Sequence, residues 1–326
     1  MDNKYNEYEE EFNRAIEKYR NRNACVKPQK EKLTFMEHSL SFCVAFFVTL
    51  ISMGIILFGS LYVNRPRNTT QVIGSADIPK SVEYIPSPKD NINLLLAVSE
   101  SEDYLPETYI LVGFLVDRGY ISVSLISPNT LVTTLQDEVK LNDLYRSGGV
   151  GYAAKGLSEY FNVPIERYGS IYYKDIDSFM SELGDYNYNV TETLNYPYHR
   201  RHISLQKGMT LMNGRKFCDI LFYPNYKGGE REKSDRGAML VADFLNDLII
   251  KKGKTPDLDI KTPFFKYIDT NISSLDIETR LDAAKYLSEQ NERIVVATYI
   301  DGSVDSTYEY FLINRDTLNR IYEIYS

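Results

Sequence analysis

The sequence predicts an α/β fold, a three-layer sandwich with a mixed central sheet, preceded by one transmembrane helix. Three observations carry this reading. From Leu40 to Val63 there is no charged residue in 24 positions. Beyond that stretch, β-rich runs alternate with runs of helical period, which in a compact domain means helices covering a sheet. Two of the β-rich runs are joined by only three residues, a hairpin, so the sheet cannot be wholly parallel.

The first element is the apolar stretch LSFCVAFFVTLISMGIILFGSLYV. At 1.5 Å per residue it spans the ~30 Å hydrocarbon core with some tilt. It is longer than the ~7–15-residue core of a cleaved signal peptide and lies behind 38 residues, so residues 39–63 read as a permanent anchor. Arg20, Arg22, Lys27, Lys30 and Lys32 precede it, against Arg65, Arg67 and Lys80 after it. That asymmetry places residues 1–38 in the cytoplasm, as a tail, and the C-terminal part outside the cell membrane. The tail carries Tyr5, Tyr8, Phe12, Ile16 and Tyr19 at helical spacing. Residues 64–90, with four Pro and little periodicity, read as a linker.

Residues 91–326 form the expected folded domain. It opens on the run Ile92–Val98. Tyr109–Val116 and Tyr120–Ile126 flank Asp117-Arg118-Gly119, a hairpin signal. A helix follows Gly148-Gly149, with Tyr152, Ala153, Leu157, Tyr160 and Phe161 on one face. Tyr168–Tyr173 is the next strand. A second helix runs from about Ser234 to Lys251, and a third starts near Ser274 and uses Ile277, Leu281, Ala284 and Leu287. Strands Ile294–Ile300 and Tyr308–Ile313 close the chain.

Composition narrows the function. The 326 residues carry a net charge of -8, with three His, three Cys and no Trp. The acidic balance excludes a nucleic-acid binder, which needs a basic face. The His and Cys are too far apart for a zinc or iron–sulfur site of ordinary spacing. Residues 1–38 hold eight basic and eight acidic side chains, so the whole net charge lies beyond the apolar stretch. Cys25 and Cys43 precede or lie within that stretch, which leaves Cys218 with no disulfide partner in the domain.

Five segments, in order, resemble the LytR-CpsA-Psr family. They are NINLLLAVSES, LPETYILVGFLVDRGYISVSLIS, KLNDLYRSGGVGYAAKGLSEYFNVPIERYGSIYYKDIDSFMSELG, MNGRKFCDILFYPNYKGGEREKSDRGAMLVADFLNDLI and YIDTNISSLDIETRLDAAKYL. The resemblance implies a membrane-anchored cell-envelope protein. Such a protein takes a glycopolymer from a polyprenyl-pyrophosphate carrier and transfers it, with its linking phosphate, to peptidoglycan. It also implies an apolar tunnel for the lipid, an arginine clamp for the pyrophosphate, and Mg2+ or Mn2+ held by carboxylates. The implied partners are a polyprenyl-phosphate lipid or cell-wall glycopolymer and the membrane.

Several positions depart from the family pattern. Its Asp and Arg after the first strand fall on Ser99 and Ser101, and its next Asp on Glu107. The motif after the third strand reads Ser127-Pro128-Asn129. Two arginines near the second helix fall on Phe222 and Pro224. Gly228-Gly229-Glu230 remains, followed by Lys233 and Arg236, and a Gln becomes Gly237. The residues carried over are Arg236 and Lys233 as catalytic groups, Asn142, Arg231, Gly148 and Gly149 as substrate contacts, and Glu107 and Glu230 as metal ligands. Each lost charge-assisted bond costs about 1.5–3 kcal/mol, so two losses correspond to a drop of roughly 10²–10⁴. Two readings stand: a divergent transferase, and a non-catalytic envelope module that keeps the fold. His199-Arg200-Arg201-His202 is the one dense basic cluster outside the linker, expected in a solvated loop. Arg118, Arg146 and Arg200 are the cations that could replace the missing clamp.

Overall fold

The computed structural model describes residues 84–326, apart from 136, 200, 255–257, 291, 292, 306 and 308. The tail, the apolar stretch 39–63 and most of the linker lie outside the described residues. Among the described residues no helix is long and apolar enough to cross a membrane.

The domain is built on a six-stranded sheet. Its strands are β1 (Ile92–Ser99), β2 (Thr108–Leu115), β3 (Tyr120–Ile126), β6 (Arg167–Tyr172), β11 (Asp269–Thr270) and β12 (Val295–Ala297), in spatial order β11-β6-β1-β2-β3-β12. β1 runs antiparallel to β2 and parallel to β6, and β3 runs parallel to β12, so the sheet is mixed as expected. The hairpin turns on Val116-Asp117-Arg118 and closes at Gly119, whose φ of 76° is the left-handed conformation that glycine permits at no steric cost.

Strand alternation divides the core in two. Leu95, Ala97, Tyr109 and Leu111 face helix α1 (Leu141–Phe161) and the C-terminal helix α8 (Arg315–Tyr325). A short pair, β4 (Leu131–Thr133) with β5 (Glu138–Lys140), leads into α1. Val98, Ile110, Val123 and Leu125 face a larger layer on the other side. That layer contains α2 (Tyr173–Leu183), α3 (Gly214–Phe222), α4 (Gly229–Lys254), α5 (Lys261–Tyr267) and α7 (Leu281–Gln290). Helices therefore cover both faces, as in a three-layer sandwich.

Several elements differ from expectation. α1 begins at Leu141, upstream of the glycine pair, and kinks at Gly148-Gly149. The third helix is two helices, α6 (Ser274–Glu278) and α7: the i→i−4 bonding ends at Thr279, the Arg280 N–H bonds the Ile277 carbonyl at 3.1 Å, and the Arg280 side chain donates to the carbonyls of Asp90 and Asp276. The last β run pairs as a separate hairpin, β13 (Gly302–Asp305) with β14 (Tyr310–Ile313), outside the main sheet. Two further hairpin-like pairs, β7 (Tyr186–Val190) with β10 (Gly208–Met212) and β8 (Leu194–Tyr198) with β9 (Arg201–Leu205), occupy a region with no expected strands. The end of the linker is packed on the domain: Tyr84 lies 5.6 Å from the Tyr286 ring and its hydroxyl donates to Asp90.

β12 is an edge strand, and its free side is closed by one buried side chain. The Asn246 carbonyl accepts from the backbone N–H groups of Ile294 and Val295, and its amide donates to the Val295 carbonyl, at 2.9–3.1 Å. Asn246→Ala leaves three buried backbone groups unpaired. The expected loss is about 3 kcal/mol, read as a lower urea midpoint at unchanged slope.

Candidate functional site

Three of the candidate residues, Glu107, Asn142 and Lys233, meet where the parallel strands β1 and β6 end, at the paired residues Ser99 and Tyr172. The loop from β1 to β2 crosses this end and returns through Glu107, whose N–H donates to the Val98 carbonyl at 2.8 Å. Asn142, in the first turn of α1, fixes that loop. Its amide donates to the Pro106 carbonyl at 3.1 Å, and its side-chain oxygen accepts from the buried Tyr109 hydroxyl at 2.8 Å. Asn142 thus positions Glu107.

Lys233, from the second turn of α4, reaches the same loop, with Nζ 3.4 Å from the Glu107 carbonyl oxygen. The Glu107 carboxylate lies 3.6 Å from His199 Nε2. The buried Tyr198 phenol is also beside that carboxylate, without closing a well-formed hydrogen bond, and burial followed by the Glu107 charge pushes its pKa up.

The other cations of α4 point elsewhere. Arg236 donates through Nε and Nη2 to Glu232, at 3.3 and 3.0 Å, and through Nη1 to Thr191 just beyond β7. The Gly228 N–H first, and Arg236 second, hold the Glu232 carboxyl below its ordinary range. Arg231 lies 3.3 Å from Asp301 and is 60% exposed. Glu230 is half-buried in the first turn of α4. Among the described residues no three His, Cys, Asp or Glu side chains could hold a metal ion together. Of the expected ligands for Mg2+ or Mn2+, the Glu107 carboxylate is paired with His199 and Lys233 lies against its backbone carbonyl; such ions are commonly held by one or two carboxylates together with substrate phosphates.

Gly148 and Gly149 form the kink of α1. Gly149 has φ of 69°, and a Cβ on Gly148 would collide with the Tyr152 ring. Their evident role is to bend the helix. Arg118 donates to the carbonyls of Glu323, Ile324 and Ser326 and caps α8, and Arg146 pairs with Asp143 at the surface. Arg200 lies outside the described residues.

A second cation, besides Lys233, reaches this end of the sheet: Arg201. It was expected in a solvated loop. It is instead the first residue of β9, on the inward face with Ile203 and Leu205, and that alternation was the signal for it. Its Nη1 donates to Asp219 of α3, and its Nε lies 3.5 Å from Glu100 of the β1–β2 loop. Its guanidinium lies 4.6 Å from the Tyr173 ring, 5.1 Å from Tyr198 and 5.8 Å from Phe222. Phe222, at the end of α3, is one of the two positions where the resemblance puts an arginine, and the cation near it comes from β9 instead. Burial pushes the Asp219 carboxyl above its ordinary range, with Arg201 opposing the rise.

Behind this cluster lies a cavity of about 220 Å³ between the sheet and the larger helical layer. Every lining side chain is apolar, among them Leu96 and Val98 of β1, Val112 of β2, Leu221 of α3 and Phe244 of α4. Val98, Ile171 and Leu221 line it, and the residues just past them, Glu100, Tyr173 and Phe222, touch Arg201. The polar cluster therefore stands against one end of the cavity.

A profile of the LytR_cpsA_psr family matches residues 116–324. The chain belongs to the LytR_cpsA_psr family. Solved structures share its fold. A protein from Eubacterium siraeum superposes with a TM-score of 0.67 at 15% identity, over 78% of this chain and 98% of that one. TagV of B. subtilis gives 0.58 at 18% identity, over 72% and 96%. TagT, solved bound to LIIa-WTA, gives 0.54 at 17% identity, over 78% and 97%. At these identities the likeness speaks for the fold alone. No curated protein matches the sequence.

Arg201→Met removes the partner of two enclosed carboxylates in this family member. The expected cost at pH 7 is about 3 kcal/mol. The Asp219 carboxyl, raised in the folded state and freed of its lowering neighbour, holds its proton more tightly folded than unfolded. Stability of the variant then falls as pH rises from the ordinary value of 3.8 through the folded one, and is regained in acid. Thermal melts of both proteins between pH 4 and 7.5 check the sign: the gap between them narrows toward acid.

Proposed function

We propose that the protein is a single-pass cell-membrane protein, N-terminus cytoplasmic, whose extracytoplasmic domain holds a polyprenyl lipid carrying a cell-wall glycopolymer. On this reading the family's transfer step is weak or lost. The observation that carries it is the apolar cavity. Unfilled apolar volume costs ~24 cal/mol per Å³, so 220 Å³ corresponds to roughly 5 kcal/mol. A space of this size with a wholly apolar lining favours an apolar chain over water. Family membership and the uncharged stretch 39–63 support an anchor that keeps the domain at the bilayer, where such a lipid resides.

The weakness of transfer follows from the charges. A leaving pyrophosphate needs several converging cations. Arg236 is held by Glu232 and Arg231 lies against Asp301, leaving Lys233 near Glu107 and Arg201 flanked by two carboxylates. The juxtaposition of Lys233 and Glu107 favours a second reading, residual transferase activity. It predicts Mg2+- or Mn2+-dependent transfer from a polyprenyl-pyrophosphate glycopolymer to peptidoglycan.

The test uses the full chain in nanodiscs and geranylgeraniol. Binding is expected, with a rise in melting temperature. Val112→Phe, which fills the cavity from the central strand β2, is expected to weaken binding more than ten-fold while leaving the melting temperature equal or higher. Failure of geranylgeraniol to bind would sink the cavity reading, and detection of metal-dependent transfer would establish the second one.

A further inference from the structure

We propose that the α6–α7 end of the domain is a bilayer-docking face, where Leu275, Leu281 and the groove between these helices and the sheet are covered by lipid acyl chains. This rests on the reading of residues 39–63 as a membrane anchor, and concerns a surface of the folded domain that the anchor does not by itself assign. The first observation is the groove. Ile92 of β1 and Phe114 of β2, a cross-strand pair, line it together with Ile272, Ile277, Leu281 and Ala284, around a volume of about 210 Å³. The two charged residues at its border are already engaged. Asp276 accepts from Arg167 at 2.8 Å and from the Ser273 N–H at 2.9 Å, and Arg280 donates to the carbonyls of Asp90 and Asp276 at 3.0 and 3.1 Å. Covering the groove with lipid leaves neither without a partner.

The second observation is the apolar surface beside it. Leu275 is 66% exposed and Leu281 57% exposed. Their exposure belongs to finished elements: Ser273 and Asp276 close a capping box on α6, and α7 follows directly after Thr279-Arg280. The groove also follows on from the apolar cavity. Leu94 and Val112, the next pair on the same face of β1 and β2, line that cavity.

The third observation is where the chain enters. Tyr84, the first described residue, packs on Tyr286 of α7, and the next residue, Ile85, is 81% exposed. The uncharged stretch ends at Val63, so residues 64–83 tether the domain by this apolar end, with the Glu107 loop at the opposite end of β1. The charges nearby select acyl chains over anionic headgroups. Lys261 pairs with Glu278 at 2.9 Å, Lys285 lies 3.9 Å from Glu289, and Lys89 and Asp282 add one charge of each sign. A rim of mixed sign has no net pull on an anionic surface, which leaves the apolar side chains to hold the contact.

The chain contains no Trp, so single Trp reporters can be read in the full chain in nanodiscs. The lipid is phosphatidylcholine with brominated acyl chains, compared with the unbrominated lipid. Leu275→Trp and Leu281→Trp, both at exposed positions, are expected to lose at least half their emission to the bromine, equally with phosphatidylglycerol added and in high salt. Tyr104→Trp, on the same tether but in the loop at the other end of β1, is expected to lose almost none. Leu281→Asp is expected to release most of the quenching of Leu275→Trp. Phe47→Trp, inside the uncharged stretch, reports the anchor and is expected to be strongly quenched. If Phe47→Trp is quenched and the two α6–α7 reporters are not, the docking face is overturned and the anchor stands. Unquenched but blue-shifted emission from those reporters would assign the face to a second copy of the chain and equally overturn the proposal. So would quenching that needs anionic lipid or vanishes in salt, or equal quenching of Tyr104→Trp. If Phe47→Trp is itself unquenched, the anchor reading falls and this proposal with it.

Discussion

Burial of both faces of the central strands is the constraint from which the rest of the domain follows. β1 and β2 sit in the middle of the sheet with helices on either side, so each must be apolar at successive positions. Leu94, Leu96 and Val98 look one way, and Leu95 and Ala97 the other. On the α1 side the fit is tight: the Tyr325 ring packs against Gly113, and its hydroxyl bonds Ser122 and Ser124. On the other side the helices stand off and leave the cavity. The asymmetry has a composition cause, since α1 brings small residues such as Ala153 and Ala154 close to the sheet, whereas α3 and α4 meet it with Phe217 and Phe244.

The polar end of the cavity shows how a fold can keep its scaffold and change its chemistry. Asn142 holds the Glu107 loop, and β1 and β6 end side by side, as a site at the carboxyl ends of strands requires. The charges around that frame have been redistributed. Arginine is absent from positions 222 and 224, and Arg201 arrives from a hairpin and is enclosed by aromatic rings and carboxylates. A guanidinium in that setting is a structural cation, oriented by its neighbours and largely neutralised by them.

The mixed character of the sheet, the hairpin at Asp117-Arg118-Gly119 and the helix at 234–251 were legible because each depends on local period and turn chemistry. Helix α8 was missed, since strands were expected to close the chain, although its signals are local: Asn314 is its cap, and Thr317, Ile321 and Tyr325 are buried at helical spacing. The divergence of Arg231 from Lys233 could have been found by helix geometry; that of Arg236, three positions from Lys233, could not. Residues 231 and 233 are two positions, about 200°, apart and lie on opposite sides. The meeting of Lys233 with Glu107 spans 126 positions and belongs to tertiary structure alone. So does the cavity, which is set by how far the helices stand from the sheet.

That cavity also bears on how the domain responds to compression. Unfolding eliminates internal voids, and the volume change, usually about −20 to −100 mL/mol, grows with them. A domain with an apolar cavity of about 220 Å³ is softer than its secondary structure suggests, and hydrostatic pressure would act on it in part through that space. A chain of methylenes lodged there would stiffen the same region, so that occupancy becomes a mechanical property of the domain.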